Sequence, residues 1–165
     1  MDDEKNVFLT LLIALFSVTT AWAEFNPTPG VKYALQEKTS GLYLDIQTLG
    51  SNESEGTDNI SLSSAPCAIY FEWWWTDEWG VWWKMKNEEG KYVFTHETLS
   101  WNPIIGDTPK GWNFVEDGNF FKINSWQDFF IVGDEKEEGH PLFVNNESVP
   151  LQFSLVDFVE QTQSY

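Results

Sequence analysis

The chain has 165 residues, 26 of them acidic against 9 lysines and no arginine, for a formal charge of −17, and 10 are tryptophan. That balance excludes the basic patches by which proteins hold nucleic acid or an anionic membrane surface. The single cysteine, Cys67, excludes an intrachain disulfide and reads as a small buried apolar residue.

The chain begins with an apolar run from Val7 to Val18, followed by Ala21-Trp22-Ala23 ahead of Glu24. An apolar stretch closed by an A-x-A site predicts a signal peptide over residues 1–23 and an exported mature chain from Glu24: periplasmic, cell-surface or extracellular. Met1-Asp2-Asp3-Glu4-Lys5 departs from that pattern, being acidic where such leaders are basic. The run is shorter than the roughly 20 residues a bilayer span needs, so no membrane insertion is expected once it is removed. Residues 24–165 then form one domain of 142 residues with a charge of −15. A chain of that length buries about 68% of its unfolded surface and needs no staples.

Phe25-Asn26-Pro27-Thr28-Pro29-Gly30 is a Pro- and Gly-punctuated lead with little helix propensity. Tyr33 to Ile46 then reads as strand, polar turn and strand, and the same plan returns at Trp83–Val93 and Phe121–Ile131. The opening aromatic recurs at Tyr33, Trp83 and Phe121, spaced by 50 and 38 residues. An apolar residue of the second strand recurs at Leu44, Val93 and Ile131, spaced by 49 and 38. A later aromatic recurs at Phe71, Phe114 and Phe153, spaced by 43 and 39. Spacings of this size predict repeated supersecondary units that bury their apolar faces only together, here over about residues 31–75, 80–117 and 118–158.

Within the first unit, the segment from Leu49 to Asp58 is polar and Gly-containing and predicts an exposed loop, whereas Ile60-Ser61-Leu62-Ser63 alternates like a half-buried strand. Asn52-Glu53-Ser54, Asn59-Ile60-Ser61 and Asn146-Glu147-Ser148 fit the glycosylation triplet, a pattern common by chance. The least ordinary stretch is Tyr70-Phe71-Glu72-Trp73-Trp74-Trp75-Thr76-Asp77-Glu78-Trp79-Gly80-Val81-Trp82-Trp83. Neighbouring side chains of a strand point to opposite faces, so three consecutive tryptophans cannot all enter one core. Several of these indoles would pack a small β core. Those left outside would form an aromatic surface for a sugar ring or a partner, with Asp77 and Glu78 as acceptors beside it.

In the third unit, Asn119–Asn124 and Asp128–Val132 are aromatic and β-branched enough for strands, and no segment of the mature chain sustains a helical period. Gly133–Gly139 predicts an acidic hairpin loop without EF-hand spacing, and Glu160–Tyr165 a polar tail. The only histidines, His96 and His140, sit in no metal-binding spacing, and no G-x-S-x-G nucleophile motif occurs. Neither an enzyme, a resident metal nor a cofactor is therefore expected.

Three units of about forty residues, each readable as four short strands, resemble the β-trefoil fold and in particular the ricin-type lectins. Ser40-Gly41-Leu42-Tyr43-Leu44-Asp45-Ile46 is similar to the lectin segment in which an aspartate accepts hydrogen bonds from sugar hydroxyls. Ile60-Ser61-Leu62 followed by Cys67 is similar to the third strand and cysteine of those lectins. The resemblance implies an all-β trefoil with three four-stranded repeats and pseudo-threefold symmetry, and makes Asp45 a candidate ligand acceptor. The family's Q-x-W signature is replaced by Ile69-Tyr70-Phe71, Trp112-Asn113-Phe114 and Leu151-Gln152-Phe153. Ser63 stands at the position of the lectin aromatic platform, and Ala68 and Ile69 at that of the polar pair. Phe94 and Val132 replace the aspartate in the other units, so at most one lectin-like site survives.

The sequence thus supports noncatalytic carbohydrate binding, with a glycan or glycoprotein as partner, Asp45 accepting hydroxyls and one or more of Trp73, Trp74, Trp75 and Trp79 stacking on a ring. The alternative from another class is a protein-interaction module such as a trefoil inhibitor or a cell-surface adaptor domain. A third is a targeting domain of a once longer protein.

Overall fold

The computed structural model describes residues 24–47, 55–95 and 102–160. The expected signal peptide, the Asn52 triplet, His96 and the last five residues of the tail lie outside the described residues. The strands are β1 (Tyr33–Glu37), β2 (Tyr43–Asp45), β3 (Glu55–Asn59), β4 (Ser61–Ser63), β5 (Tyr70–Asp77), β6 (Gly80–Lys86), β7 (Tyr92–Thr95), β8 (Pro103–Gly106), β9 (Trp112–Asp117), β10 (Phe120–Trp126), β11 (Phe129–Val132), β12 (Phe143–Asn145) and β13 (Gln152–Asp157). Among the described residues there is no helix, and none long and apolar enough to cross a membrane.

Every pairing is antiparallel. β1 pairs with β13, β13 with β10, β10 with β9, β9 with β6 and β6 with β5. A bridge between Tyr33 and Ile69, with hydrogen bonds of 3.0 and 2.8 Å, ties the start of β1 to the chain entering β5. Shorter ladders branch from this path: β1–β2–β4, β6–β7–β8 and β10–β11–β12.

The positions picked out by spacing are core positions. Leu44, Val93, Ile131, Phe71, Phe114 and Phe153 are all buried in one continuous cluster, with Trp83 and Phe121 beside them and Tyr33 packed against its edge. Trp112 lies fully inside and donates its Nε1–H to Val93 O at 2.9 Å, which satisfies the one polar atom of its ring. Cys67 is buried as expected, receiving Ile46 N–H at 3.4 Å on its sulfur.

The lead segment does more than its composition foretells. Phe25 stacks on Phe114 at 3.9 Å and meets Phe71 and Phe121 edge-on at 5.2 and 5.1 Å. It thereby covers an aromatic surface that β5, β9 and β10 build jointly.

Part of the expected loop over Leu49–Asp58 is a strand. Residues Glu55 to Asn59 form β3 and pair with β8, through Glu55↔Gly106 and Asn59↔Ile104. Backbone pairing is indifferent to the polar composition of β3. β8 supplies a buried Pro-Ile-Ile-Gly edge whose N–H and C=O groups need partners. Ile60 and Leu62 are buried while Ser61 and Ser63, which follow them in turn, are half-buried, the alternation expected of a half-buried strand.

Buried polar side chains hold the tight turns. Glu37 accepts Thr39 N–H at 2.7 Å and Ser40 N–H at 3.1 Å after β1. After β6, Asn87 accepts Glu89 and Lys91 N–H at 3.0 and 2.9 Å and donates to Ile46 O at 2.9 Å. After β10, Asn124 donates to Gln127 O and Phe129 O at 2.8 and 3.0 Å.

Candidate functional site

The tryptophan-rich stretch folds into the hairpin β5–β6, closed by a two-residue loop, Glu78-Trp79, between the paired residues Asp77 and Gly80. Gly80 takes φ of +123°, a backbone conformation open to glycine, and the Asp77 side chain organises the turn. Asp77 Oδ1 accepts Trp79 N–H at 2.9 Å and the Nε1–H of Trp82 at 3.0 Å. Asn113 on β9 donates to Trp79 O at 2.8 Å, so the neighbouring strand braces the tip.

Strict alternation breaks at Trp74. Trp73 pairs with Trp83 and Trp75 with Trp82, so two steps on β5 oppose one on β6 and Trp74 is the extra residue of a β-bulge. Its ring is half-buried against Gly111 and lies under Lys84 Nζ, 5.6 Å from the ring centre. Trp73 and Trp75 both stay outside, 57% and 53% exposed, and Trp79 at the tip is 70% exposed. On the return strand Trp82 and Trp83 are buried, so the hairpin keeps one pair of indoles for the fold and offers another set to solvent.

These exposed rings are held in place. Trp73 Nε1–H donates to Thr76 Oγ1 at 3.2 Å, and Trp75 lies 6.2 Å from Trp74, tilted by 58°. At the base of the hairpin Lys84 and Lys86 both pair with Glu72, at 3.6 and 3.4 Å. Among the described residues no protein donor meets Glu78, and no acceptor meets the Nε1–H of Trp75 or Trp79.

Packing under Trp74 is tight enough to give a test. A Cβ on Gly111 would fall 3.0 Å from Trp74 Cδ1 and 3.2 Å from Trp82 Cβ. Gly111→Ala is expected to cost about 1–3 kcal/mol by overpacking. It should also change the near-UV circular dichroism of the tryptophans, whereas an unchanged spectrum and urea midpoint would mean that Trp74 does not lean on Gly111.

Beside Gly111, the Lys110 side chain is half-buried, and among the described residues no carboxylate lies on its ammonium. It donates to Ser125 O at 2.9 Å and Gly111 O at 3.3 Å and lies 4.8 Å from the centre of the Trp112 ring. Burial pushes its pKa down to about 8. Because that value lies below the roughly 10.4 of an unfolded lysine, the folded state sheds the proton first, and this group adds stability as pH rises between the two. Cys67 acts oppositely. Burial pushes its thiol up to about 12, Ile46 N–H pulls it partway back and the Asp45 charge adds to the rise. Its contribution is therefore lost as pH rises from about 8.5 towards that value. The stability of wild type relative to Lys110→Met, from which the cysteine effect cancels, is expected to increase between pH 7.5 and 9.5 in urea titrations.

Asp45 sits elsewhere. It ends β2, whose neighbours are β1 and β4, whereas the tryptophans ride on β5 and β6. Its Oδ1 accepts Gln47 N–H at 2.9 Å. Among the described residues no hydrogen bond, ion pair or ring contact joins it to Trp73, Trp74, Trp75 or Trp79, so the five candidates fall at two places. Sequence reasoning passed over Trp126, which ends β10 with 63% exposure, and Val81 and Val115, which are also exposed. Trp126 stands alone in the sequence, without the run of aromatics that drew attention to β5.

His140 faces Glu135 through Nδ1 at 3.1 Å and Glu137 through Nε2 at 3.4 Å. Their ligand atoms lie close enough to hold an ion. Each carboxylate meets a different ring nitrogen, and all three side chains are exposed. The arrangement is that of a solvated acidic loop around an imidazole.

No protein-family model matches the chain, and no curated protein does. Solved structures do. A salivary protein from Culex quiquefasciatus of the Cysteine and Tryptophan-Rich family superposes with a TM-score of 0.64 at 13% identity, over 84% of this chain and 99% of that one. A BEL β-trefoil superposes at 0.60 with 16% identity, over 80% of this chain and 96% of that one. A GlcNAcα1-4Gal-releasing endo-β-galactosidase from Clostridium perfringens gives 0.54 at 18% identity, over 79% of this chain, which spans 33% of the enzyme's length. At such identities the likeness carries the fold alone: the protein is all-β and β-trefoil-like.

Proposed function

We propose that this protein is an exported, noncatalytic carbohydrate-binding β-trefoil, a single domain after a leader, whose principal ligand surface is the tip of the β5–β6 hairpin. The branched ladders support three four-stranded units, β1-β2-β4-β5, β6-β7-β8-β9 and β10-β11-β12-β13, with β3 as an addition to the first. This is the arrangement that the ricin-type resemblance implies. The salivary neighbour is compatible with export.

One observation carries the functional reading: Trp73, Trp75 and Trp79 are each more than half exposed on one short hairpin whose geometry is fixed by Asp77, Thr76 and Asn113. Exposing large aromatics on a soluble surface is costly, and a cluster of them marks a binding site. Flat rigid indoles stack on the apolar face of a sugar ring, and the free Nε1–H groups of Trp75 and Trp79 and the Glu78 carboxylate supply polar contacts to hydroxyls. Asp45, with one oxygen already committed to Gln47, makes a lesser second contact point.

A glycan array tests this with wild type, Asp45→Ala and Trp75→Ala/Trp79→Ala. Selective binding that survives Asp45→Ala and disappears in the double variant is the expected result. Binding lost only in Asp45→Ala would move the site to β2. Exposed tryptophan is equally the anchor of protein interfaces, which favours a protein partner as the second reading. A stoichiometric partner insensitive to sugars, with no glycan bound on the array, would select it.

A further inference from the structure

We propose that the glycan taken by this hairpin carries free, protonated amino groups, as an unacetylated amino-sugar oligomer does. The inference rests on the carbohydrate reading above and adds the charge of the ligand to it.

The charge is legible in how the hairpin disposes of its ions. Its two lysines are both held at Glu72, at the base, by contacts of 3.6 and 3.4 Å. At the tip, Asp77 and Glu78 precede Trp79, with no cation against either of them among the described residues. Asp77 spends Oδ1 on Trp79 N–H and Trp82 Nε1–H, which leaves Oδ2 open. Glu78 is exposed and uncommitted. The ligand surface thus combines three exposed indoles with two carboxylates that meet no cation among the described residues, on a chain of net charge −17.

Both features select in the same direction. An indole face attracts a cation through its quadrupole, and a carboxylate beside it adds a direct ion pair. The field of the whole molecule draws cationic ligands and repels sulfated or sialylated ones. A sugar ring offers the indole an apolar face, and an amino substituent puts a positive charge at its rim, within reach of Glu78. An N-acetylated ring keeps the stacking and loses the charge.

Calorimetric titration of the whole protein with a glucosamine hexamer and with its N-acetylated counterpart, at about pH 5.5, provides the test. The amine form is expected to bind about fivefold to tenfold tighter, from one exposed ion pair together with cation–π attraction. In Glu78→Gln the preference should fall to about twofold, and in about 1 M salt, with a Debye length of about 3 Å, it should largely disappear. Asp134→Asn, an exposed carboxylate of the loop after β11, should leave it intact. Equal binding of the two hexamers would overturn the charge inference while the carbohydrate reading stands. A preference lost equally in Asp134→Asn and Glu78→Gln would overturn it in favour of unspecific attraction. If neither hexamer binds, and the array is blank as well, the carbohydrate reading itself falls.

Discussion

Trp112→Ala is expected to lower stability by about 3–5 kcal/mol, the range for deleting a large buried aromatic. Domains hold only about 5–15 kcal/mol in total, so this variant should sit near the edge of folding. Three consequences combine at the site. The ring has no exposed surface, its loss leaves Val93 O without the 2.9 Å donor, and Lys110 loses the aromatic face over which its ammonium lies at 4.8 Å. Trp112→Phe separates the packing from the polar part. It retains most of the apolar contact and forfeits the hydrogen bond, for about 1–3 kcal/mol. Urea midpoints should rank wild type, Trp112→Phe and Trp112→Ala in descending order, with Trp79→Ala beside wild type. Equal shifts in Trp112→Ala and Trp79→Ala would mean that the division between core and surface indoles is wrong.

The second large effect concerns binding. Trp75→Ala and Trp79→Ala are each expected to weaken oligosaccharide binding by about 10- to 30-fold, about 1.4–2 kcal/mol, as anchors at the centre of a contact surface do. Their urea midpoints should stay within about 0.5 kcal/mol of wild type, since neither ring is buried. Trp74→Ala should behave differently, because its ring leans on Gly111 and carries Lys84, and both stability and affinity should fall together. That split separates Trp75 and Trp79, exposed indoles that contact ligand, from the half-buried Trp74, which positions them.

Much of the fold was legible because the burial signal is periodic. Leu44, Val93 and Ile131, and Phe71, Phe114 and Phe153, could be aligned by spacing alone, and all six proved to be buried. Where the signal is not in the side chains, reading failed. β3 has the composition of a loop and is a strand because β8 needs a partner. Phe25 follows no period, and its place against Phe114 depends on three strands far away in sequence.

The site shows the same division. Alternation along a strand dictates that three successive tryptophans must split between faces, which anticipates exposure. It puts Trp73 and Trp75 on one face, but it does not anticipate the bulge at Trp74, nor the use of one Asp77 oxygen to hold the turn. Nor does it place Asp45, whose separation from the tryptophans follows from strand pairing alone.

The central claim is that the exposed indoles of the β5–β6 hairpin, and not β2, meet the ligand. An ¹⁵N–¹H correlation spectrum recorded during titration with the oligosaccharide selected on the array tests it most directly, because each indole Nε1–H reports on its own surroundings. The account predicts that the Trp73, Trp75 and Trp79 signals move in proportion to saturation while those of Trp112 and Trp83 stay fixed. Shifts confined to the amides around Asp45 and Gln47, with the three exposed indoles unmoved, would contradict it.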